Sequence, residues 1–158
     1  MPRPDRVAEL AASLVKAKRV YLIGNGGSAA NALHIANDLV ACGIKAHALT
    51  GDIATITAMA NDFSYEQIFS LQIRAFGEPG DMLWALSGSG KSANIIAALK
   101  AAKEKGMETW VMIGEYSKGS PANQLADHTI YFGKDMQQSE ERQLYIGHSV
   151  MRAIKNGG

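Results

Sequence analysis

Residues 87–92 read SGSGKS, so three hydroxyl groups and two glycines lie between an apolar run and a sequence typical of a helix. A helix N-terminus offers unpaired backbone N–H groups and the positive end of the helix dipole, and both favour a bound anion. The glycines let the backbone close around a phosphate, and the serine hydroxyls donate further hydrogen bonds. A Walker A loop is excluded, because only one residue separates Gly88 from Gly90. The segment favours phosphate binding, with an ordinary glycine- and serine-rich turn as the alternative.

A second glycine loop, GNGGS at residues 24–28, also follows a short apolar run and precedes a helical pattern. Open α/β sheets bind their ligands at the carboxyl ends of the strands, where such loops lie. A dinucleotide-binding loop needs Gly-x-Gly-x-x-Gly and an acidic residue about 20 positions further on. Here Ala29 takes the place of the third glycine, and Asp52 lies beyond the next strand. Two such loops therefore favour a sugar phosphate held between them over a nucleotide.

His34 and Asp38 are four residues apart in a helical pattern, so their side chains lie on one face of the helix. His148 lies in the last helical segment, and Glu140 or Glu141 precedes it by a turn or two. Two imidazoles and two carboxylates form a donor set that suits a four-coordinate Zn²⁺ ion. A solvated hydrogen bond between His34 and Asp38, and simple packing of His148, are the alternatives.

Helical and strand patterns alternate along the chain, with a helix break expected at residues 61–63. The predicted helices cover residues 5–18, 28–42, 52–60, 65–76, 92–105, 121–125 and 138–154. The predicted strands cover residues 20–23, 45–49, 81–86, 109–113 and 128–132. Short apolar strands separated by helices imply a parallel sheet that is covered on both faces. The chain is therefore predicted to form one α/β domain over residues 1–158.

Composition agrees with a globular protein, because 47% of the 158 residues are hydrophobic and 20% are charged. The net charge is +1 and no basic block is present, which argues against nucleic acid or a membrane surface as the main partner. The single cysteine, Cys42, excludes an internal disulfide and fits a reducing compartment. No apolar run reaches the length of a membrane span, and the first residues lack the apolar core of a signal peptide. The predicted location is the cytoplasm.

Four short blocks together resemble the SIS (sugar isomerase) superfamily, and most closely the phosphoheptose isomerases. These blocks are GNGGS at 24–28, NDF at 61–63, SGSGKSAN at 87–94 and GH at 147–148, and they occur in the family's order and spacing. The resemblance implies a three-layer αβα sandwich around a five-stranded parallel sheet. It also implies a homotetramer with active sites at subunit contacts. The implied reaction is aldose–ketose isomerisation of a sugar phosphate, from sedoheptulose 7-phosphate to a D-glycero-heptose 7-phosphate through an enediol.

The same resemblance assigns roles to particular residues. The implied ligands of one Zn²⁺ ion per subunit are His34, Asp38, Glu140 and His148. Asp38 and His148 are also the expected pair for proton transfer, and no organic cofactor is expected because the reaction has no net redox change. The implied substrate-binding residues are Asn25, Gly26, Gly27, Ser28, Asp38, Asn61, Asp62, Ser87, Gly88, Ser89, Ser92 and Glu140.

The chain departs from the family pattern at three places. Asp38 stands where the family usually has glutamate, and Glu140 stands where it usually has glutamine. The long helix that usually precedes the one at residues 5–18 is not expected here. The alternative function is a non-catalytic SIS module that binds a sugar phosphate or a protein partner for regulation. Such a module can dispense with His148, so the presence of this histidine favours the isomerase.

Overall fold

A computed structural model describes residues 3–157 of the chain, and a sheet of five parallel strands lies at its centre. The strands are β1 (Val20–Gly24), β2 (Ala46–Ala48), β3 (Met82–Leu86), β4 (Glu108–Ile113) and β5 (His128–Tyr131). They lie in the order β2-β1-β3-β4-β5, and every neighbouring pair is parallel. Strands β2 and β3 therefore lie on opposite sides of β1, and the chain reverses its direction across the sheet after β2. This reversal is the place where open α/β sheets form a ligand crevice.

In the described part of the chain, seven α-helices cover the two faces of the sheet. They are α1 (Pro4–Lys16), α2 (Gly27–Ala41), α3 (Ile53–Asp62), α4 (Ser70–Phe76), α5 (Ala93–Glu104), α6 (Pro121–Leu125) and α7 (Met136–Gly157). Helices α1, α2 and α7 pack on one face and the others on the opposite face. Side chains alternate between the two cores along each strand, so Trp84 faces the first core and Leu83 the second. The result is the expected three-layer αβα sandwich around a five-stranded parallel sheet.

The predicted elements are confirmed in number and type, apart from the segment after α3. The predicted helix over residues 65–76 is a 3₁₀ turn at Tyr65–Gln67 followed by α4. Ile68 and Phe69 are both buried between these two pieces, and this packing overrides the local helical preference. Helix α3 also continues through Asp62, so the expected break begins only at Phe63. Within residues 3–157, no helix is both long enough and apolar enough to span a lipid bilayer.

Helices α2 and α7 run side by side in the same direction, and this pairing positions the candidate site. Gly27 at the start of α2 lies against Glu140, and His34 two turns later meets His148. Between these contacts, the side chain of Gln143 bonds to both Ser28 and Asn31 and is fully buried. Buried and satisfied polar pairs of this kind hold two elements in one register.

Gly147 permits the close approach of the two helices. A β-carbon built on Gly147 would lie 2.7 Å from Cγ1 of Ile35 on α2. A real side chain therefore cannot occupy this position unless the helices move apart. Because His148 follows directly, the glycine determines how near that histidine comes to α2.

Candidate active site

The SGSGKS segment connects β3 to α5, as the sequence predicts. Ser87 Oγ accepts a hydrogen bond from Gly90 N at 3.1 Å, and Ser89 Oγ accepts one from Lys91 N at 3.2 Å. Gly90 has a φ of +62°, in the left-handed region that favours glycine. Ser92 is the N-cap residue of α5, but its side chain does not cap the helix. Since both serine oxygens act as acceptors within the loop, their O–H groups can still donate to an anion.

Both predicted loops line one small pocket at the carboxyl end of the sheet. The loop after β1 contributes Asn25, the first turn of α2 contributes Ser28, and α7 contributes Met136 and Glu140. The remaining lining residues belong to the end of β3 and the loop after it, namely Leu86, Ser87, Gly88, Ser89 and Ser92. The pocket measures about 90 Å³, and each buried water needs roughly 15 Å³ by this measure. A phosphate group fits such a space, whereas the rest of a sugar phosphate must extend out of it.

An asparagine pair connects the two loops across the crevice. Asn25 and Asn94 exchange two side-chain hydrogen bonds of 2.8 Å, and the Tyr65 hydroxyl donates to Asn25 Oδ1 at 3.1 Å. A second pocket of about 330 Å³ lies beside these residues and shares Asn25 and Ser92 with the first. The two pockets adjoin at the serine loop, and together they form a groove that begins there.

His34, Asp38 and His148 form a compact cluster at the α2–α7 contact. The two Nε2 atoms are 3.1 Å apart, and Asp38 Oδ2 lies 3.4 Å from that of His34 and 3.3 Å from that of His148. Asp38 Oδ2 is buried and forms no hydrogen bond with any residue from 3 to 157. The three atoms therefore face a common point, where one hydrogen bond joins the two imidazoles and Asp38 Oδ2 forms none. This group could hold a metal ion.

The spacing of these three atoms fits a tetrahedral zinc site. Nitrogen and oxygen ligands lie about 2.0–2.2 Å from Zn²⁺, so two ligands of one tetrahedral ion are separated by roughly 3.3–3.6 Å. The observed separations of 3.1–3.4 Å are close to this range without any rearrangement. Two histidines, one carboxylate and an open fourth position form the donor set of many catalytic zinc sites. The residues present therefore suit such an ion.

A model of the SIS domain family matches residues 5–114, more than half of the chain. The chain belongs to the SIS domain family. Within this family, a phosphoheptose isomerase of Burkholderia pseudomallei (strain 1710b) is 40% identical over 152 residues. That match covers 92% of this chain and 76% of the relative. The chain is accordingly a member of the phosphoheptose isomerase group.

Solved structures agree with this assignment. A phosphoheptose isomerase from Neisseria gonorrhoeae superposes on this SIS domain with a TM-score of 0.87 at 32% identity, covering 95% of this chain and 86% of the other. One from Francisella tularensis gives a TM-score of 0.89 at 29% identity, covering 97% and 86%. The fold and its topology are therefore those of structurally known phosphoheptose isomerases.

Three of the four predicted metal ligands come together in this SIS domain, and Glu140 lies elsewhere. Its carboxylate oxygens are 2.6 Å from the position that a β-carbon on Gly27 would take. Glu140 precedes His148 by eight residues on α7, which separates their Cα atoms by about 12 Å along the helix. Its carboxylate lines the serine pocket instead. The role of Glu140 as a fourth ligand stays a prediction.

Other predicted substrate contacts differ in their position. Gly26 is the N-cap residue of α2 with a φ of +56°, and Gly27 begins that helix. Asn61 and Asp62 end α3, where both are exposed and Asn61 Nδ2 donates to Asp62 Oδ1 at 3.0 Å. Neither lines the two pockets described above. Their contact with the sugar stays a prediction.

Sequence reasoning did not assign two residues that shape the groove. Asn94 belongs to the SGSGKSAN block, so its place one residue inside α5 was a usable signal. Tyr65 follows the helix break and carries no such signal, because its approach to Asn25 depends on the tertiary fold. Met136 and Tyr116, which lie against Gly88 in the serine loop, were also not assigned from the sequence.

Proposed function

We propose that this SIS domain interconverts sedoheptulose 7-phosphate and a D-glycero-heptose 7-phosphate. The observation that carries this proposal is the phosphate-sized pocket, which two glycine- and serine-rich loops form at the switch point of the sheet. The 40% identity to a protein named phosphoheptose isomerase supports an isomerisation between an aldose and a ketose. The location we propose is the cytoplasm, where the single cysteine, Cys42, would stay reduced.

The reaction moves two hydrogens and needs no external oxidant. A base removes the proton from C1 of the ketose, while the oxygen on C2 gains a proton, which gives an enediol. The proton on the oxygen of C1 then leaves, and C2 takes up a proton to give the aldose. Each step is a proton transfer of the kind that a well-placed carboxylate or imidazole assists. No organic cofactor takes part.

Asp38 and His148 are the proposed pair for these proton transfers. Asp38 directs Oδ2 towards the two imidazoles, which leaves Oδ1 to accept or return a proton. His148 directs Nε2 to the same point, so its ring can take part in proton transfer only through a nitrogen that no cation occupies. The shorter carboxylate of Asp38, in place of the family's glutamate, still reaches this cluster.

A divalent ion, for which we propose Zn²⁺, would be held by His34, Asp38 and His148, with Glu140 as a candidate fourth ligand. When bound, it would polarise the carbonyl and hydroxyl oxygens of the sugar. The position of Asp38 Oδ2 supports the proposal, because this buried carboxylate oxygen forms no hydrogen bond and lies 3.3–3.4 Å from two imidazole nitrogens, with which it could share a cation.

The serine loop would hold the substrate's phosphate. Ser87, Ser89 and Ser92 donate hydrogen bonds there, and the start of α5 adds its dipole. Asn25, Gly26, Gly27, Ser28 and Gly88 would form the walls. Glu140 brings a negative charge to the same pocket, so it would contact sugar hydroxyls rather than the phosphate. For Asn61 and Asp62 we propose contacts with sugar hydroxyls.

The deciding experiment is incubation of the purified chain with sedoheptulose 7-phosphate, with Zn²⁺ added or with chelator, followed by NMR. We expect an aldose anomeric signal that grows with Zn²⁺ and stops with chelator. In deuterated water, deuterium should enter the carbon next to the carbonyl of the product, unless the site shields the proton fully. A protein that binds the heptose phosphate with metal present, yet never yields the aldose, would be the non-catalytic module.

A further inference from the structure

Tyr116 lies at the serine loop, outside the four sequence blocks at residues 24–28, 61–63, 87–94 and 147–148. It belongs to a 3₁₀ turn at Glu115–Ser117, just after β4. A β-carbon built on Gly88 would lie 2.8 Å from the Tyr116 hydroxyl oxygen and 2.7 Å from Met136 Sδ. Both side chains therefore close over Gly88, in the middle of the loop that the phosphate would occupy.

The turn that carries Tyr116 is fastened to the loop itself. The Gly88 carbonyl accepts hydrogen bonds from Gly114 N at 3.0 Å and from Ser117 Oγ at 2.9 Å. Ser117 is buried, and the tyrosine ring folds directly over Gly114. The position of the hydroxyl relative to the serine loop is consequently set by short, direct contacts rather than by a long mobile segment.

The Tyr116 hydroxyl has a poor acceptor in this structure. Its partner among the described residues is Met136 Sδ at 3.8 Å, and a thioether sulfur accepts hydrogen bonds only weakly. The side chain is 47% exposed, so the hydroxyl can turn to a better acceptor. A phosphate oxygen at the loop would be such an acceptor, since charge makes the hydrogen bond shorter and stronger.

We infer that Tyr116 is a further substrate-binding residue, whose hydroxyl donates a hydrogen bond to the phosphate held by the serine loop. Met136 forms the adjacent wall, and its flexible side chain adapts when the hydroxyl turns from sulfur to phosphate. The role of Tyr116 rests on the proposed function, because it requires a phosphorylated substrate in this loop.

The test replaces Tyr116 with phenylalanine, which keeps the ring over Gly114 and removes the hydroxyl. We expect KM for sedoheptulose 7-phosphate and the inhibition constant of inorganic phosphate to rise together, each by about 10-fold or more. The value of kcat should change little, because the contact is equal in the ground state and the transition state. Tyr21→Phe is the matched control, since it removes a hydroxyl near the amino end of β1, whose bond to the Phe76 carbonyl is long at 3.4 Å.

A second variant checks the geometry. Gly88→Ala places a methyl group where the hydroxyl and the sulfur now lie, so it should raise KM as well. If both changes act through the displaced hydroxyl, the double variant with Tyr116→Phe should show less than the sum of the two effects. Fully additive effects of the two substitutions on KM would show that they do not both act through the displaced Tyr116 hydroxyl.

Two further outcomes would also decide whether Tyr116 binds the phosphate. A KM for Tyr116→Phe equal to that of Tyr21→Phe would overturn the inference. A raised KM with an unchanged inhibition constant for inorganic phosphate would move the contact to the sugar and overturn the phosphate assignment. If the wild type never isomerises heptose phosphates, the proposed function fails by itself. Calorimetry with inorganic phosphate on wild type and Tyr116→Phe then still measures the contact.

Discussion

The positions of three atoms define the His34–Asp38–His148 cluster. The Nε2 atoms of the two histidines and Oδ2 of Asp38 meet within 3.4 Å, while the second oxygen of Asp38 remains outside the triangle. A carboxylate on the short aspartate side chain has few rotamers, so it loses little entropy when it is held in place. Asp38, at a position where the resemblance implies glutamate, therefore reaches the cluster in this geometry.

The residue-scale prediction concerns His148→Gln. Glutamine keeps some hydrogen bonding but cannot take up and return a proton near neutral pH, as an imidazole does. We expect kcat for heptose phosphate isomerisation to fall by at least about 10²-fold. Binding of inorganic phosphate should persist, because the serine loop lies on other elements of the fold.

The control is His47→Gln, which changes an exposed histidine on β2 and should leave turnover unchanged. Metal content is measured by elemental analysis for each variant, so that loss of the ion and loss of the proton carrier are separated. Near wild-type turnover in His148→Gln would end the catalytic assignment.

At the scale of elements, the pairing of α2 with α7 turns two sequence fragments into one cluster. The spacing of His34 and Asp38 predicts that they share a helix face, and this is confirmed. That His148 joins them depends on the register between two helices more than 90 residues apart in sequence. Helical periodicity holds no information on such a register, which is why the expectation of His148 as a third ligand relied on the resemblance to known isomerases.

The same limit explains why other positions could not be predicted from sequence. The loops after β1 and β3 follow from apolar runs and glycine patterns, so their place at the sheet edge was predictable. The direction in which Glu140 points depends on the rotation of α7 against Gly27, and the break at Ile68 depends on packing in the second core. Both are tertiary effects that local preference does not encode.

Gly147→Ala tests the α2–α7 contact. The added methyl group would lie 2.7 Å from Ile35 Cγ1, so we expect a loss of about 1–3 kcal/mol in the free energy of unfolding, measured with urea. Metal affinity and turnover should fall as well, because His148 moves away from α2. Gly157→Ala on the same helix is the control, since its β-carbon would meet nothing within 4 Å. Equal stability of the two variants would show that the helices have room to separate.

The carboxyl of Asp127, which contacts Thr109 on β4, should make the stability of the fold depend on pH in acid. Burial raises the pKa of this carboxyl, but hydrogen bonds from the amide and hydroxyl of Thr109, with the charge of Lys103, outweigh it and leave the pKa below the ordinary 3.8. Because the pKa of Asp127 is lower in the folded chain than in the unfolded chain, its carboxylate stabilises the fold fully at any pH above the unfolded-state pKa. This stabilisation is lost as the pH falls through the folded-state pKa.

We therefore expect Asp127→Ala to lower the free energy of unfolding at pH 7 by about 1 kcal/mol, since it removes hydrogen bonds to a charged group that solvent partly screens. The difference from wild type should shrink below about pH 4, where the carboxyl begins to protonate. Glu141→Ala, an exposed change on α7, should stay within about 0.5 kcal/mol at each pH. A gap between Asp127→Ala and wild type that is constant from pH 7 to pH 3 would contradict the role of the charge.

For the whole molecule, the exposed surface around α3 bears on assembly. Helix α3 has no buried residue, and Ile53 and Phe63 at its two ends are 73% and 64% exposed. Large apolar side chains that stay exposed can mark a contact surface. We propose that this surface is an interface between copies of the chain in a homotetramer, which would also bring Asn61 and Asp62 near a neighbouring subunit.

Light scattering coupled to size-exclusion chromatography should therefore give a mass four times the 16.9 kDa of the chain. Ile53→Asp and Phe63→Asp place a charge in the contact, so they should yield smaller species and lower turnover while circular dichroism stays unchanged. Val15→Asp makes the same kind of change on α1, where the side chain is 60% exposed, and should leave the mass as it is. If only Val15→Asp dissociates the protein, the subunit contact lies on α1 instead. If the wild type has the mass of a monomer and still turns over heptose phosphate, activity requires no subunit contact.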